Sequence, residues 1–250
     1  MRGYIKMTAH RRALERLAQT FLYRPPFCTR MQIAGIEEAG RGPVIGPLVV
    51  CGILMDEQDE GRLRAIKVKD SKLLTPRQRE ALYPQIAKIV KKKKILVLQP
   101  AEIDAALGSD SLNLNWLEAH KMAEILNALQ PDKAFIDCPS NNIKAFRSYL
   151  RELLTSPIEL VVEHKADVHY PVVSAASILA KVTRDSEVAK IQKMMPEDFG
   201  SGYMADPKTA AFLAKYYDTY PDIFRKQWVS YQSILKKKGQ LPLDRFEHKA

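Results

Sequence analysis

Gln32-Ile33-Ala34-Gly35-Ile36-Glu37-Glu38-Ala39-Gly40-Arg41-Gly42-Pro43 decides how the rest of this chain is read. Branched apolar residues alternate with small ones in its first half, which is a β-strand pattern. Two adjacent carboxylates stand at the strand's end, and a tight Gly-Arg-Gly turn and a proline follow. Neighbouring strand residues point to opposite faces, so Glu37 and Glu38 cannot do the same job. A bare Glu-Glu is ordinarily a polar strand end running into a turn. Beside a glycine-flanked arginine it suggests instead a site that holds a cation and grips phosphate next to it.

The chain around this stretch has 250 residues, enough for one large domain or one domain with an appendage. An apolar fraction of 46% and a charged fraction of 27% are ordinary for a globular protein. No apolar run reaches the length of a membrane span, and residues 1–30 have no apolar stretch followed by a cleavage site, so no signal peptide is expected. Cys28, Cys51 and Cys138 are scattered, lack metal-ligand spacing and read as buried free thiols, which points to a reducing, cytoplasmic setting. The net charge of +10 suits a polyanion partner, and equally a generally basic surface. Lys91 to Lys94 and Lys236 to Lys238 read as solvated ends of secondary structure.

From Met31 the sequence alternates strands and helices. Strands are expected over 31–38, 43–55, 94–99, 133–138 and 158–164. Thr75-Pro76-Arg77-Gln78 is a capping-box start with proline at the first helical position, so a helix should run to about Val90. Helical spacing continues over 111–129, 141–153 and 172–195, from Asp206-Pro207, and over 227–235. Residues 1–30 read as an N-terminal extension, with a short basic helix ended by Pro25-Pro26. Strands come first and helices dominate after residue 170. The expectation is therefore an α/β core with a mixed β-sheet over 31–200, a helical C-terminal appendage over 201–238 and a flexible tail over 239–250.

Two further acids extend the reading. Asp137 ends the strand pattern Lys133-Ala134-Phe135-Ile136-Asp137 just before Cys138-Pro139, where ligand sites sit in open α/β sheets. Asp167 lies in His164-Lys165-Ala166-Asp167, ahead of a helix. Each alone reads as a cap or turn residue. Together, Glu37, Glu38, Asp137 and Asp167 would repel one another unless cations neutralise them. Hard oxygen ligands suit Mg²⁺ or Mn²⁺, and two such ions would activate water and stabilise the leaving oxygen in phosphodiester hydrolysis.

At these motifs the chain resembles the type 2 ribonucleases H, the ribonuclease HII family, in its archaeal style. Gly35 to Pro43 is similar to the family's first signature, and Lys69-Asp70-Ser71-Lys72-Leu73-Leu74-Thr75 to its Asp-Ser-Lys segment. Phe135-Ile136-Asp137 resembles its third acidic strand end. His164 to Asp167 followed by Val173 to Asp185 resembles its longest motif, and Ser201-Gly202-Tyr203 with Asp206-Pro207-Lys208-Thr209 completes the set. The resemblance covers about residues 31–235. It implies a ribonuclease H-like fold. It also implies an enzyme that cleaves RNA in RNA–DNA hybrids and incises 5′ of ribonucleotides embedded in DNA, leaving 3′-hydroxyl and 5′-phosphate ends; a monomer is expected.

The resemblance assigns the metal-binding and catalytic carboxylates to Glu37, Glu38, Asp137 and Asp167, with two Mg²⁺ or Mn²⁺ ions per site. Gly40, Arg41 and Gly42 with Tyr203 correspond to the family's sensor of the 2′-hydroxyl. Glycines let backbone approach the minor groove, and that hydroxyl separates RNA from DNA. Lys72, Lys181 and Arg184 are candidate phosphate contacts, with Arg184 equally readable as a structural partner of a carboxylate. The sequence departs from the family at Glu37, where the pattern has Asp. An ångström's displacement can cost about a hundredfold in rate, so an impaired relative that binds hybrids with little cleavage is the alternative. In the tail, Gln240, Leu243 and Phe246 have the spacing of the clamp-binding box of replication and repair enzymes, incomplete at Glu247. The alternative there is a solvated tail.

Overall fold

The structure, a computed structural model, describes residues 30–68, 73–108 and 112–244, with the side chains of residues 238 and 240–244 outside that description. Lys72, Cys28 and Phe246, and the side chains of Gln240 and Leu243, therefore lie outside the described residues. So do the extension over 1–29 and the last residues of the expected tail.

The sheet has five strands in the order β3-β2-β1-β4-β5. These are β1 (Gln32–Ala39), β2 (Leu48–Asp56), β3 (Lys92–Leu98), β4 (Lys133–Asp137) and β5 (Glu159–Glu163). β1 pairs antiparallel with β2 and parallel with β4, β2 pairs antiparallel with β3, and β4 pairs parallel with β5. All residues of β2 are buried, as expected of an apolar run covered on both faces. One face carries α4 (Leu114–Leu129) and α5 (Ile143–Glu152), whose Met122, Ile125, Phe146 and Leu150 pack with Ala34 and Ile36. The other carries α1 (Glu60–Ala65), α2 (Pro76–Ile89) and α7 (Pro171–Met194), with Leu63, Ile86, Val172 and Ala176 against Ile33 and Val49.

Local chemistry sets the helix starts. Thr75 and Gln78 complete both halves of the capping box, and Asn113, Asn142 and Asp206 accept bonds from the first turns of α4, α5 and α8 (Pro207–Tyr216). Gly35 explains how closely α7 approaches β1. A Cβ there would lie 2.3 Å from the Val172 carbonyl oxygen, so only glycine fits. Past α7 the chain builds a smaller core of Phe199, Phe212, Phe224 and Tyr231, and it closes on Val44 and Ile45 rather than on the sheet.

Several boundaries differ from expectation. Residues 43–47 are not strand, because their backbone is held by the C-terminal segment: Val44 N–H donates to Gly202 O, and Gly46 N–H to Ile223 O. The helix expected from 172 is preceded by a separate short one, α6 (Ala166–His169), and α1 and α3 (Pro100–Leu107) had no strong periodic signal. The last helix, α9 (Val229–Asp244), runs past Leu235 into the segment expected to be a flexible tail. Lys236 to Lys238 are good helix formers, and Gly239 does not adopt the positive φ that would end the helix.

Candidate active site

The parallel register of β1 with β4 pairs Ile36 with Ile136, so Glu37 and Asp137 emerge level with each other at the carboxyl ends of neighbouring strands. β4 in turn pairs Asp137 with Glu163 at the end of β5. The chain then reverses through Lys165, which holds a left-handed φ of 58° and starts α6. That reversal returns Asp167 towards the strand ends, and Ala166 N–H donates to Asp137 Oδ1 at 3.4 Å. One carboxylate oxygen each from Glu37, Asp137 and Asp167 lies within 4.8 Å of the others. Glu37 and Asp167 are buried, 6% and 1% exposed.

This donor set fits a hard divalent cation. Carboxylates this close and this buried are mutually repulsive without a compensating charge, and oxygen-only donors select Mg²⁺-like ions. The longer Glu37 side chain still reaches the group. Glu38 does not join it. With Ala34 and Ile36 it belongs to the α4 side of β1, as strand alternation requires. Burial, and then the charges of Glu118 and Asp137, push its carboxyl well above the usual range, with Arg41 pulling it partly back. Its buried Oε2 accepts no hydrogen bond among the described residues, a second sign that this end of the sheet is built to meet a positive ligand.

The Gly-Arg-Gly turn lines the same cavity of about 250 Å³ as Glu37, Glu38, Asp137, Ser177, Lys181 and Tyr203. Gly40 has φ +86°, and a Cβ there would lie 2.7 Å from Pro47 O. A Cβ on Gly42 would lie 3.2 Å from the Tyr203 ring, so the ring rests on the turn. The Arg41 side chain, 39% exposed, is engaged by α4: Nε donates to both oxygens of Glu118 at 3.0 and 3.1 Å, and Nη2 donates to Asn115. Arg184 is buried, donates to Ser201 O at 3.4 Å, approaches Asp185 at 3.6 Å and lies 5.6 Å beneath the Tyr203 ring. The contacts of Arg184 are thus those of a structural partner, whereas Lys181 lines the cavity. A larger cavity of about 440 Å³ opens beyond Asp167, bordered by Arg64, Lys67, Leu73 and His169.

Four residues of this site escaped sequence reading: Asn115, Glu118, Arg225 and Trp228. Glu118 had a signal, because it sits on the apolar stripe of α4 in line with Leu114 and Met122. It is fully buried, and burial pushes its carboxyl up to about 7 against the pull of Arg41. Arg225 had none. It is fully buried and donates to Gly46 O at 2.9 Å, Arg41 O at 3.0 Å and Gly40 O at 2.6 Å. Trp228 lies 4.8 Å from its guanidinium and donates Nε1–H to Gly42 O at 3.2 Å.

Known proteins share this sequence pattern and fold. A family model described as Ribonuclease HII matches residues 34–231, from β1 into α9. The chain is similar to Ribonuclease HII of Pyrococcus furiosus, 47% identical over 86% of this chain and 98% of the relative. It is 44% identical to Ribonuclease HII of Methanocella arvoryzae over 86% of this chain and 96% of that one. Among solved structures it is similar to ribonuclease H2 from Pyrococcus horikoshii OT3, with a TM-score of 0.75 and 43% identity over 83% of this chain and 98% of that one. It is also similar to the RNase HII solved in a PCNA complex from Archaeoglobus fulgidus, with a TM-score of 0.72 and 38% identity over 79% and 95%. Because the match takes in both the acid-bearing strands and the C-terminal segment that holds the glycine turn, this chain belongs to the ribonuclease HII family and is an endoribonuclease.

Proposed function

We propose that the protein hydrolyses the RNA strand of RNA–DNA hybrids and incises 5′ of ribonucleotides embedded in duplex DNA, leaving 3′-hydroxyl and 5′-phosphate ends. The observation that carries this reading is that Glu37, Glu38 and Asp137 line one cavity with the glycine turn and Tyr203, and Asp167 brings a carboxylate oxygen within 4.8 Å of those of Glu37 and Asp137. A cleavage centre and a ribose-reading surface within one space are what cutting at a defined sugar requires.

Glu37, Asp137 and Asp167 would hold the metal, with Glu38 at its edge. Two Mg²⁺ or Mn²⁺ ions would supply a water ionised at neutral pH and neutralise charge on the leaving oxygen. The chain's own residues do the rest. Lys181 offers positive charge to the scissile strand's phosphate, and Lys72 is assigned the same role by sequence. The turn, bare of side chains at Gly40 and Gly42, lets backbone reach the minor groove. Tyr203, 41% exposed, presents a ring on which a deoxyribose can stack and an added hydroxyl would crowd. Arg41 and Arg184 act in this reading by holding the turn and the ring, not by touching phosphate. The buried free thiols Cys51 and Cys138 are compatible with work in a reducing cytoplasm. A sliding clamp is the partner proposed for the tail.

The test is a DNA duplex carrying one ribonucleotide, incubated with Mg²⁺ or Mn²⁺, with product ends determined. Cleavage 5′ of the ribonucleotide is expected. Asp137→Asn and Asp167→Asn should abolish it while hybrid binding survives, because basic side chains and backbone hold the strand. Unchanged turnover in either variant would remove that acid from the metal site.

A further inference from the structure

The carbonyl oxygens of Gly40, Arg41 and Gly42 are all held by side chains of the C-terminal segment. The first two accept from Arg225 and the third from Trp228. Arg225 also donates to Gly46 O, so one guanidinium spans both ends of the turn. In a trans peptide the carbonyl and the following N–H point in opposite directions. Holding the Gly40 and Arg41 carbonyls on a fully buried group therefore aims the N–H groups of Arg41 and Gly42 outward. Neither donates to an acceptor among the described residues, and Pro43 has no N–H to compete. Two outward amide donors result, on the rim of the acidic cavity.

Arg225 is a costly way to achieve this. Burial pulls its guanidinium down to about 10, and no carboxylate bonds to it among the described residues. Three carbonyl acceptors satisfy its fork, and its face lies over Trp228. A buried charge spent on backbone oxygens fixes geometry: the turn cannot rotate a peptide without leaving a donor of Arg225 unpaired in the interior.

We infer that Arg225, from the C-terminal segment, is a positioning residue that presents the Arg41 and Gly42 amides to the ribose, so that selectivity for an isolated ribonucleotide depends on it. The inference rests on the reading of the turn as the surface that meets the 2′-hydroxyl. It explains why the C-terminal segment is built against residues 40–47 and not against the sheet.

The experiment compares kcat/KM on a duplex with one ribonucleotide and on a long all-RNA hybrid, for the parent and for Arg225→Met, Arg225→Lys and Trp228→Phe. Circular dichroism at the assay temperature establishes that each variant is folded. Arg225→Met should lose about a hundredfold on the single ribonucleotide and less than about tenfold on the hybrid, which offers many registers. Arg225→Lys should fall between it and the parent. Trp228→Phe keeps a ring against Arg225 but removes the donor to Gly42, and should shift the ratio the same way by several-fold. If Arg225→Met does not fold, the other two variants decide. Equal losses on both substrates, or an unchanged ratio, overturn the positioning role. A parent enzyme that does not cut at the single ribonucleotide overturns instead the reading of the turn on which it rests.

Discussion

Arg41 and Glu118 form a two-oxygen ion pair across 77 positions of sequence, and Glu118 contributes it from a fully buried site. The pair ties the glycine turn to α4 from one side, as Arg225 ties it to the C-terminal segment from the other. Removing Arg41 would leave Glu118 buried without its partner.

The buried carboxyl gives the first prediction. Burial raises Glu118 from 4.5 to about 7. The folded state therefore keeps a proton that the unfolded chain releases, and stability from this group is full below about pH 4.5 and is lost as pH rises towards 7. Glu118→Gln cannot lose it. Relative to the parent, the variant should gain up to about 3 kcal/mol between pH 4.5 and 7, read by denaturant unfolding with chelator present. A difference that stays flat over that window would show that Glu118 ionises normally.

Gly35→Ala should destabilise the fold by about 3 kcal/mol or more. Its Cβ would meet the Val172 carbonyl at 2.3 Å and the Val173 nitrogen at 2.7 Å, and backbone cannot yield as a side chain can. Because α7 carries Ser177 and Lys181, any accommodation also moves the cavity wall. A melting temperature within a degree of the parent's would count against the close approach.

What could be read from sequence follows the range of the interactions. β1 and its acids were legible, because alternation and the Glu-Glu-Ala-Gly-Arg-Gly string are local. So was the start of α2, where Thr75 and Gln78 satisfy each other three residues apart. Residues 43–47 read as strand because Val44, Ile45, Leu48 and Val49 are apolar. What keeps Val44 and Ile45 out of the sheet is the Gly202 carbonyl, more than 150 residues away, which nothing nearby announces. Arg225 is the extreme case: between Phe224 and Lys226 it looks like surface charge, and only the folded turn gives it three acceptors. The partner of Arg41, Glu118, is likewise distant in sequence, 77 positions away.

Glu37→Asp should raise Mg²⁺-dependent turnover by about tenfold. The family pattern has Asp here. Glu37 still brings an oxygen within 4.8 Å of Asp137 and Asp167, so its surplus methylene must be taken up by the side-chain path and not by leaving the group. Initial rates across a Mg²⁺ titration separate affinity from turnover. A slower variant would mean that the cavity has adapted to the longer acid.

Tyr203→Ala should damage cleavage at a single ribonucleotide more than cleavage of a long hybrid. The ring rests on Gly42 and is backed by Arg184 at 5.6 Å, so it is held as a platform although 41% exposed. Stacking on an aromatic face is worth about 1–3 kcal/mol, which corresponds to roughly five- to 150-fold on the substrate that has one junction. Steady-state rates on both substrates at one salt concentration give the comparison. Equal losses would reduce Tyr203 to a general contact.

The last prediction concerns the C-terminus. Gln240, Leu243 and Phe246 have the spacing of a clamp-binding box, and the similar protein from Archaeoglobus fulgidus was solved as a PCNA complex. Here α9 carries the backbone of Gln240 and Leu243 in helix up to Asp244. A box of this kind plugs its aliphatic and aromatic side chains into an apolar pocket from a single tight turn. Docking would then require the end of α9 to rewind. Pro242 makes that rewinding cheap, since it has no N–H to give the helix. A peptide of residues 236–250 should bind a sliding clamp from the same source by calorimetry, more tightly than roughly 100 μM, or about 5 kcal/mol. The full chain should bind more weakly than the peptide, because it must first give up helix. Phe246→Ala should abolish both. No heat at that concentration from peptide or full chain would leave the tail without this partner, and equal affinities would mean that α9 does not compete.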